Sequence, residues 1–258
     1  MNSLTVSLEK FIFVINSIFF PRKSYINKDE KDHLINVEKD VVVGARLFIK
    51  DKSFDNILFF HGNAELSQEY GDIASFYNEY KCNFIVADYR GYGLSSGLPD
   101  RDNLLSDSVV IFDYIKTYLQ NNNFNQKLIV MGRSLGSASA WEICSQREDC
   151  IDGCIIESGF ATEDFIVDLF NLPAMDIRFN LADGFESLSK IKKHLKPLLV
   201  IHAAQDHIVP LEQGNLAFDS ALSENKKILV VESANHNNII HCIKEKYFQD
   251  IRDFIDSI

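Results

Sequence analysis

The chain has 258 residues, 46% hydrophobic and 24% charged, which is enough to bury one large core and suits a single α/β domain. Its formal net charge of −11 comes from acids spread along the sequence, which favours solubility and argues against nucleic acid as a partner. The five cysteines are an odd number, so at least one thiol stays free unless another chain pairs with it, which points to a reducing, cytoplasmic setting. Cys150 and Cys154 have no second pair or suitably spaced histidines, so they read as buried small hydrophobes rather than metal ligands.

In chain order, the first stretch to place is Phe11–Phe20, FIFVINSIFF. Asn16 and Ser17 interrupt it, it is shorter than the roughly 20 apolar residues a membrane span needs, and no small-residue cleavage site precedes Pro21. Leu4, Leu8, Phe11, Ile12, Ile15 and Phe19 recur at helical spacing, so residues 1–23 are predicted to form an amphipathic helix. Its stripe either docks on the domain, the preferred reading, or gives peripheral membrane contact.

Residues 24–258 form the predicted domain. An opening antiparallel pair is expected at His33–Val37 and Val41–Phe48. Buried strands follow at Ile57–Phe60, Asn83–Asp88, Lys127–Met131, Gly153–Glu157, Leu198–His202 and Lys227–Glu232. Between and after them, Leu66–Tyr80, Asp102–Gln120, Leu135–Gln146, Leu211–Leu222 and Ile239–Ile258 carry apolar residues at helical spacing. That alternation implies a mostly parallel sheet of about eight strands, with helices on both faces. The interval Gly159–Lys196 is long for a crossover and rich in phenylalanine, and it reads as a small helical cap over residues 159–196.

The strongest chemical signal is Gly132-Arg133-Ser134-Leu135-Gly136, directly between a predicted strand and a helix rich in small residues. A strand-to-helix elbow holds its central residue in a strained conformation, and the flanking glycines remove side chains that would collide with the turn. Ser134 is therefore the candidate nucleophile. A serine hydroxyl needs a base to take its proton and an acid to orient that base. Asp206, just past the strand Leu198–His202, is the candidate acid, with Glu157 as its rival. His236, in the polar loop after the last strand, is the candidate base. His207 and His241 are its rivals, while His202 reads as a packed core residue. The backbone N–H of Leu135 is a candidate oxyanion donor, and the loop His61-Gly62-Asn63-Ala64 offers the N–H of Asn63 as the second. The glycine-rich Asp88–Gly97 lacks the residues of a phosphate loop and reads as a structural turn, with its tyrosines and Arg90 buttressing the oxyanion loop or lining the pocket as the alternative.

Taken together, HGNAE, DYRGYGLSSG, GRSLG, IHAAQDHIVP and NHNN resemble the α/β-hydrolase family from about residue 33 to the end. The likeness is to the branch carrying HGNA and D-x-R-G-Y-G-x-S-x-G, which includes esterases, lipid hydrolases and protein depalmitoylases. The resemblance implies the α/β-hydrolase fold, a triad at the positions of Ser134, Asp206 and His236, an oxyanion hole at Asn63 and Leu135, and no metal or organic cofactor. Ala203 stands where members often have glycine, and Ala234-Asn235 replace a commoner glycine-containing approach to the histidine. The expected activity is hydrolysis of carboxylic esters or thioesters through an acyl-enzyme, on a small-molecule or lipid-like acyl substrate. A serine peptidase or amidase, or a non-catalytic binding member of the fold, are the alternatives.

Overall fold

The alternation of short apolar runs with helical stretches resolves into one eight-stranded sheet in the computed structural model, which describes residues 18–163, 165–166 and 184–258. The strands are β1 (Asp32–Glu38), β2 (Val41–Phe48), β3 (Asp55–Phe60), β4 (Cys82–Ala87), β5 (Leu128–Arg133), β6 (Gly153–Glu157), β7 (Leu198–Ala203) and β8 (Lys226–Val231), in the order β1-β2-β4-β3-β5-β6-β7-β8. β1 and β2 pair antiparallel, as do β2 and β4, and every later neighbour is parallel. This is the α/β-hydrolase fold, with the strands where the apolar runs predict them.

Successive side chains of a strand point to opposite faces, so a strand covered on both sides must be apolar at every position. Leu58 and Phe60 of β3 enter one core layer, while Ile57 and Phe59 enter the other. Val130 of β5 and Val200 of β7 belong to the first layer, and Ile129, Met131, Leu199 and Ile201 to the second. Helices α2 (Arg101–Asn121) and α3 (Gly136–Gln146) supply the first layer with Ile111, Phe112, Ile115 and Trp141. Helix α1 (Gly71–Glu79) supplies the second with Ala74 and Tyr77. A capping box starts α2: the Asn103 N–H donates to Asp100 at 2.8 Å, and the Asp100 N–H donates back to Asn103 at 3.0 Å.

Three local expectations change. The stretch Leu66–Tyr80 is a short 3-10 turn, Ser67–Glu69, followed by α1. The single helix predicted over Ile239–Ile258 is broken at Lys244 (φ 45°) into α6 (Ile239–Ile243) and α7 (Glu245–Asp256). The break re-aims the chain, so that Tyr247, Phe248, Ile251, Phe254 and Ile255 of α7 all enter the second layer. At the N-terminus, residues 1–17 of the expected amphipathic helix lie outside the described residues. Ile18–Lys23 is not helical: Ile18 lies in a turn and Phe19–Arg22 has no regular structure, while Lys23 forms a parallel bridge with Gly93.

Of the expected cap, residues 164 and 167–183 lie outside the described residues. The described remainder includes α4 (Ser187–Ile191), which packs beside α3 and α5 (Leu211–Ser220). Among the described residues no helix is long and apolar enough to cross a membrane. Because β3, β5, β7 and β8 run parallel, the loops after them emerge along one sheet edge, and those loops carry Asn63, Ser134, Asp206 and His236.

Candidate active site

Ser134 caps β5 at φ +51°, in the left-handed region, which costs a non-glycine residue about 1–2 kcal/mol. The surrounding contacts hold it there. Its N–H donates to the Glu157 carbonyl at 2.9 Å, and its carbonyl accepts the Ser137 hydroxyl at 2.7 Å and the Ser137 N–H at 3.0 Å. A Cβ on Gly136 would lie 2.0 Å from the Phe60 carbonyl oxygen, and one on Gly132 would lie 2.4 Å from the Gly136 carbonyl oxygen. The glycines therefore let β5, α3 and the end of β3 approach to backbone contact, which fixes the serine beside the Asn63 loop.

Loops from three strands meet at this point. His236 Nε2 lies 3.0 Å from Ser134 Oγ, and His236 Nδ1 lies 2.8 Å from Asp206 Oδ2. The other Asp206 oxygen accepts the N–H groups of Ile208 at 3.0 Å and Val209 at 2.8 Å, so the carboxylate is fixed from both ends. Burial opposes its charge, but the His236 hydrogen bond, the imidazole and the two N–H donors outweigh burial and hold its pKa below the ordinary carboxylate value. With Asp206 on Nδ1, the histidine has Nε2 left to accept the serine proton.

The rivals fall elsewhere. Glu157 is buried at the end of β6, where Arg133 Nε (3.2 Å) and the Tyr247 hydroxyl occupy its carboxylate. His207 and His241 are exposed. His202 is fully buried and its Nε2 meets the Val209 carbonyl at 2.9 Å, so it braces the loop behind Asp206. Neither Ala203 nor Ala234 needs a positive φ, so both loops turn without glycine there.

Asn63 and Leu135 line the same cavity as Ser134, and among the described residues neither backbone N–H has a hydrogen-bond acceptor. Leu135 also precedes the first turn of α3, where the helix dipole favours negative charge. The turn after β4, read from sequence as a structural turn with support of the oxyanion loop as the alternative, buttresses this loop. Asp88 accepts from Ser67 at 2.8 Å (N–H) and 2.7 Å (hydroxyl) and meets His61 Nε2 at 3.1 Å. The Tyr89 hydroxyl donates to the His61 carbonyl at 2.5 Å, and the Tyr92 hydroxyl donates to Asn63 Oδ1 at 2.7 Å.

A second arrangement was not singled out from sequence. Arg133, the variable residue of the elbow motif, lies largely buried between Glu65 and Glu157, with its side chain 13% exposed. It pairs with Glu65 through Nη1 and with Glu157 through Nε, and its Nη2 donates to the His236 carbonyl at 2.7 Å and to Asn237 Oδ1 at 3.1 Å. Glu65 in turn accepts the Gly62 N–H at 2.7 Å. One cation thus ties together the serine elbow, the histidine loop and the Asn63 loop. Burial raises the Glu157 pKa despite Arg133. Burial also opposes the Glu65 charge, yet Arg133, His61, Tyr70 and Gly62 together hold that pKa low. The signal available in the sequence was a charged residue directly after the apolar strand of GRSLG, together with the glutamate closing HGNAE.

Ser134 opens into a cavity of about 350 Å³, within the usual range for small-ligand pockets. Its wall is largely apolar, from Ile18, Phe20, Leu135, Phe160, Phe165, Ile166 and Val209.

The family model for serine aminopeptidase S33 matches residues 51–175. Protein bem46 of Schizosaccharomyces pombe is 28% identical over 91% of this chain and 79% of its own length. Alpha/beta hydrolase domain-containing protein 17C of Mus musculus is 30% identical over 77% of this chain and 59% of its own length, so the chain spans less than two thirds of that relative. Among solved structures, a Pyrococcus furiosus esterase superposes with a TM-score of 0.70 at 17% identity, over 92% of this chain and 98% of its own. The motifs, the sheet order and these likenesses agree in one assignment: the chain belongs to the α/β-hydrolase family.

Proposed function

We propose that the protein is a serine hydrolase that cleaves carboxylic esters or thioesters with apolar acyl groups through an acyl-enzyme. The observation that carries this reading is the chain of contacts Ser134 Oγ to His236 Nε2 (3.0 Å) and His236 Nδ1 to Asp206 (2.8 Å), opening into a mostly apolar cavity. His236 Nε2 takes the Ser134 proton as Oγ attacks the acyl carbonyl, and Asp206 stabilises the imidazolium. The N–H groups of Asn63 and Leu135 receive the negative charge on the tetrahedral oxygen. Collapse breaks the bond to the alcohol or thiol, which leaves with the proton returned by His236. Water, deprotonated by the same nitrogen, then attacks the acyl-enzyme and releases the acid.

Amide cleavage uses the same machinery. An aminopeptidase, however, needs a carboxylate free to meet the substrate's ammonium. Glu65, the carboxylate lining the cavity among the described residues, is already held by Arg133, Tyr70 and the Gly62 N–H. That commitment favours the acyl ester.

Fluorophosphonate labelling of wild type and Ser134→Ala, followed by p-nitrophenyl esters of increasing chain length, tests the proposal. Labelling and hydrolysis by wild type alone support it. A folded wild type that neither labels nor hydrolyses would leave the chain as a binding member of its family.

A further inference from the structure

The strip Ile18–Lys23 is more than a lead-in to β1. The Asn63 carboxamide meets the strip's backbone with both its acceptor and its donor. Asn63 Oδ1 accepts the Phe20 N–H at 3.0 Å, and Asn63 Nδ2 donates to the Ile18 carbonyl. The Tyr92 hydroxyl closes the junction: it donates to Asn63 Oδ1 at 2.7 Å and accepts the Phe20 N–H at 3.0 Å. Asn63 Oδ1 also accepts the Ala64 N–H at 2.9 Å, so the carboxamide oxygen takes three donors. Further along, the Gly93 N–H donates to the Arg22 carbonyl at 2.8 Å, and Arg22 pairs with Glu69. The strip is therefore stapled to the loop that presents the Asn63 N–H, and its Ile18 and Phe20 side chains form one wall of the cavity above Ser134.

We infer that residues 18–24 act as a strap with two effects on the reaction: through Asn63 and Tyr92 it positions the oxyanion loop, and through Ile18 and Phe20 it limits the length of acyl chain the cavity accepts. This rests on the acyl-ester reading of Ser134. Asn63 supplies its backbone N–H to the reaction and uses its side-chain carboxamide to hold the strap, so the one residue works on both sides of the loop. Tyr92 is a positioning residue, and Ile18 and Phe20 set specificity. Phe20 is 55% exposed at the cavity mouth, so its replacement removes wall area with little loss of core.

The test is kcat and KM for p-nitrophenyl esters from acetate to palmitate, measured on wild type, Phe20→Ala, Phe20→Trp, Ile18→Ala and Tyr92→Phe after each is shown to fold. Phe20→Ala and Ile18→Ala are expected to raise the kcat/KM ratio of long to short esters by about tenfold, and Phe20→Trp to lower it by a similar factor, the scale of a few methylenes gained or lost in a pocket. Tyr92→Phe keeps the ring and loses the bridge, so kcat is expected to fall about tenfold at every chain length with KM little changed. If wild type labels with fluorophosphonate and hydrolyses the esters, but the strap variants rescale all chain lengths alike and Tyr92→Phe keeps its kcat, the strap is only structural and the inference is overturned. A wild type that fails to label overturns the acyl-ester reading, and the strap inference with it.

Discussion

Replacing Arg133 with methionine isolates the buried cation from the reacting groups. The substitution keeps much of the side chain's length and apolar stem, but strips the counter-charge from Glu65 and Glu157 and two donors from the His236 loop. Removing one partner of a buried ion pair typically costs about 3–5 kcal/mol, because the remaining charge stays desolvated. At about 2–4 °C per kcal/mol for a domain near this size, the melting temperature should fall by roughly 6–20 °C.

The loss should depend on pH. Glu157 already has a folded pKa above its ordinary value, so the native state holds its proton more tightly than the unfolded chain does. Its contribution is present below the unfolded pKa and is lost as pH rises through the folded pKa. Without Arg133 the folded pKa rises further, so the variant's deficit should be larger at pH 8 than at pH 5. Adding Glu65→Gln and Glu157→Gln removes the stranded charges and should recover most of the stability. It cannot restore the two bonds from Arg133 Nη2 to the histidine loop, so kcat should stay low. The assays are thermal melts across pH and steady-state ester kinetics on the same preparations. A melting temperature within about 2 °C of wild type at every pH, with kcat unchanged, would show that the Arg133 network carries neither stability nor loop position.

Asp206→Asn should keep the fold but cost about 10⁴-fold in kcat, because the amide favours the wrong histidine tautomer; ester hydrolysis at saturating substrate measures this. Gly136→Ala should yield little folded protein, since its Cβ would sit 2.0 Å from a backbone oxygen that cannot move without shifting β3; soluble yield and circular dichroism check it. Asp206 also predicts an acid limb. Its folded pKa is depressed, so its stabilisation is present above the unfolded value near 3.8 and is lost as pH falls through the lower folded value. Acid titration of wild type against Asp206→Asn should therefore show a steeper loss in wild type over that window, and parallel curves would count against it.

The fold was legible because its strands are short, apolar on both faces and separated by turn residues, a pattern confined to a few neighbouring positions. Ser134 was legible for the same reason, since the elbow's strand, glycines and small-residue helix are contiguous in sequence. Asp206 and His236 were placed by strand order, and the structure brings His236 to Ser134 and Asp206 to His236. Missed features depend on residues far apart in the chain. Arg133 reaches His236 across 103 positions, and Phe20 reaches Tyr92 across 72. No local pattern marks Arg133 as the tie between three loops, or distinguishes a tyrosine in a tight turn from one that holds the Asn63 loop. The break at Lys244 belongs with these: the apolar spacing of residues 239–258 is compatible with one helix, and only the direction of the second layer requires two.

These long-range ties also show how the site is held rigid without regular structure. Each loop that meets at Ser134 is anchored by a different chemistry: the elbow by backbone contact at Gly132 and Gly136, the Asp206 loop by its own N–H groups and His202, and the His236 loop by Arg133. The Asn63 loop is anchored at each step: His61 by Asp88 and Tyr89, Gly62 by Glu65 on the inner side, and the Asn63 carboxamide by Phe20, Ile18 and Tyr92 on the outer side. An oxyanion donor works only if it is already aimed before charge develops, because reorganisation during the reaction would consume the gain. The inner tie depends on buried charge and the outer on neutral hydrogen bonds. Raised salt and disruption of the strap should therefore act on the Asn63 loop unequally: salt leaves the largely buried Glu65–Arg133 tie mostly intact, whereas loss of the Tyr92 hydroxyl removes one bond to the Asn63 carboxamide and leaves those to Phe20 and Ile18.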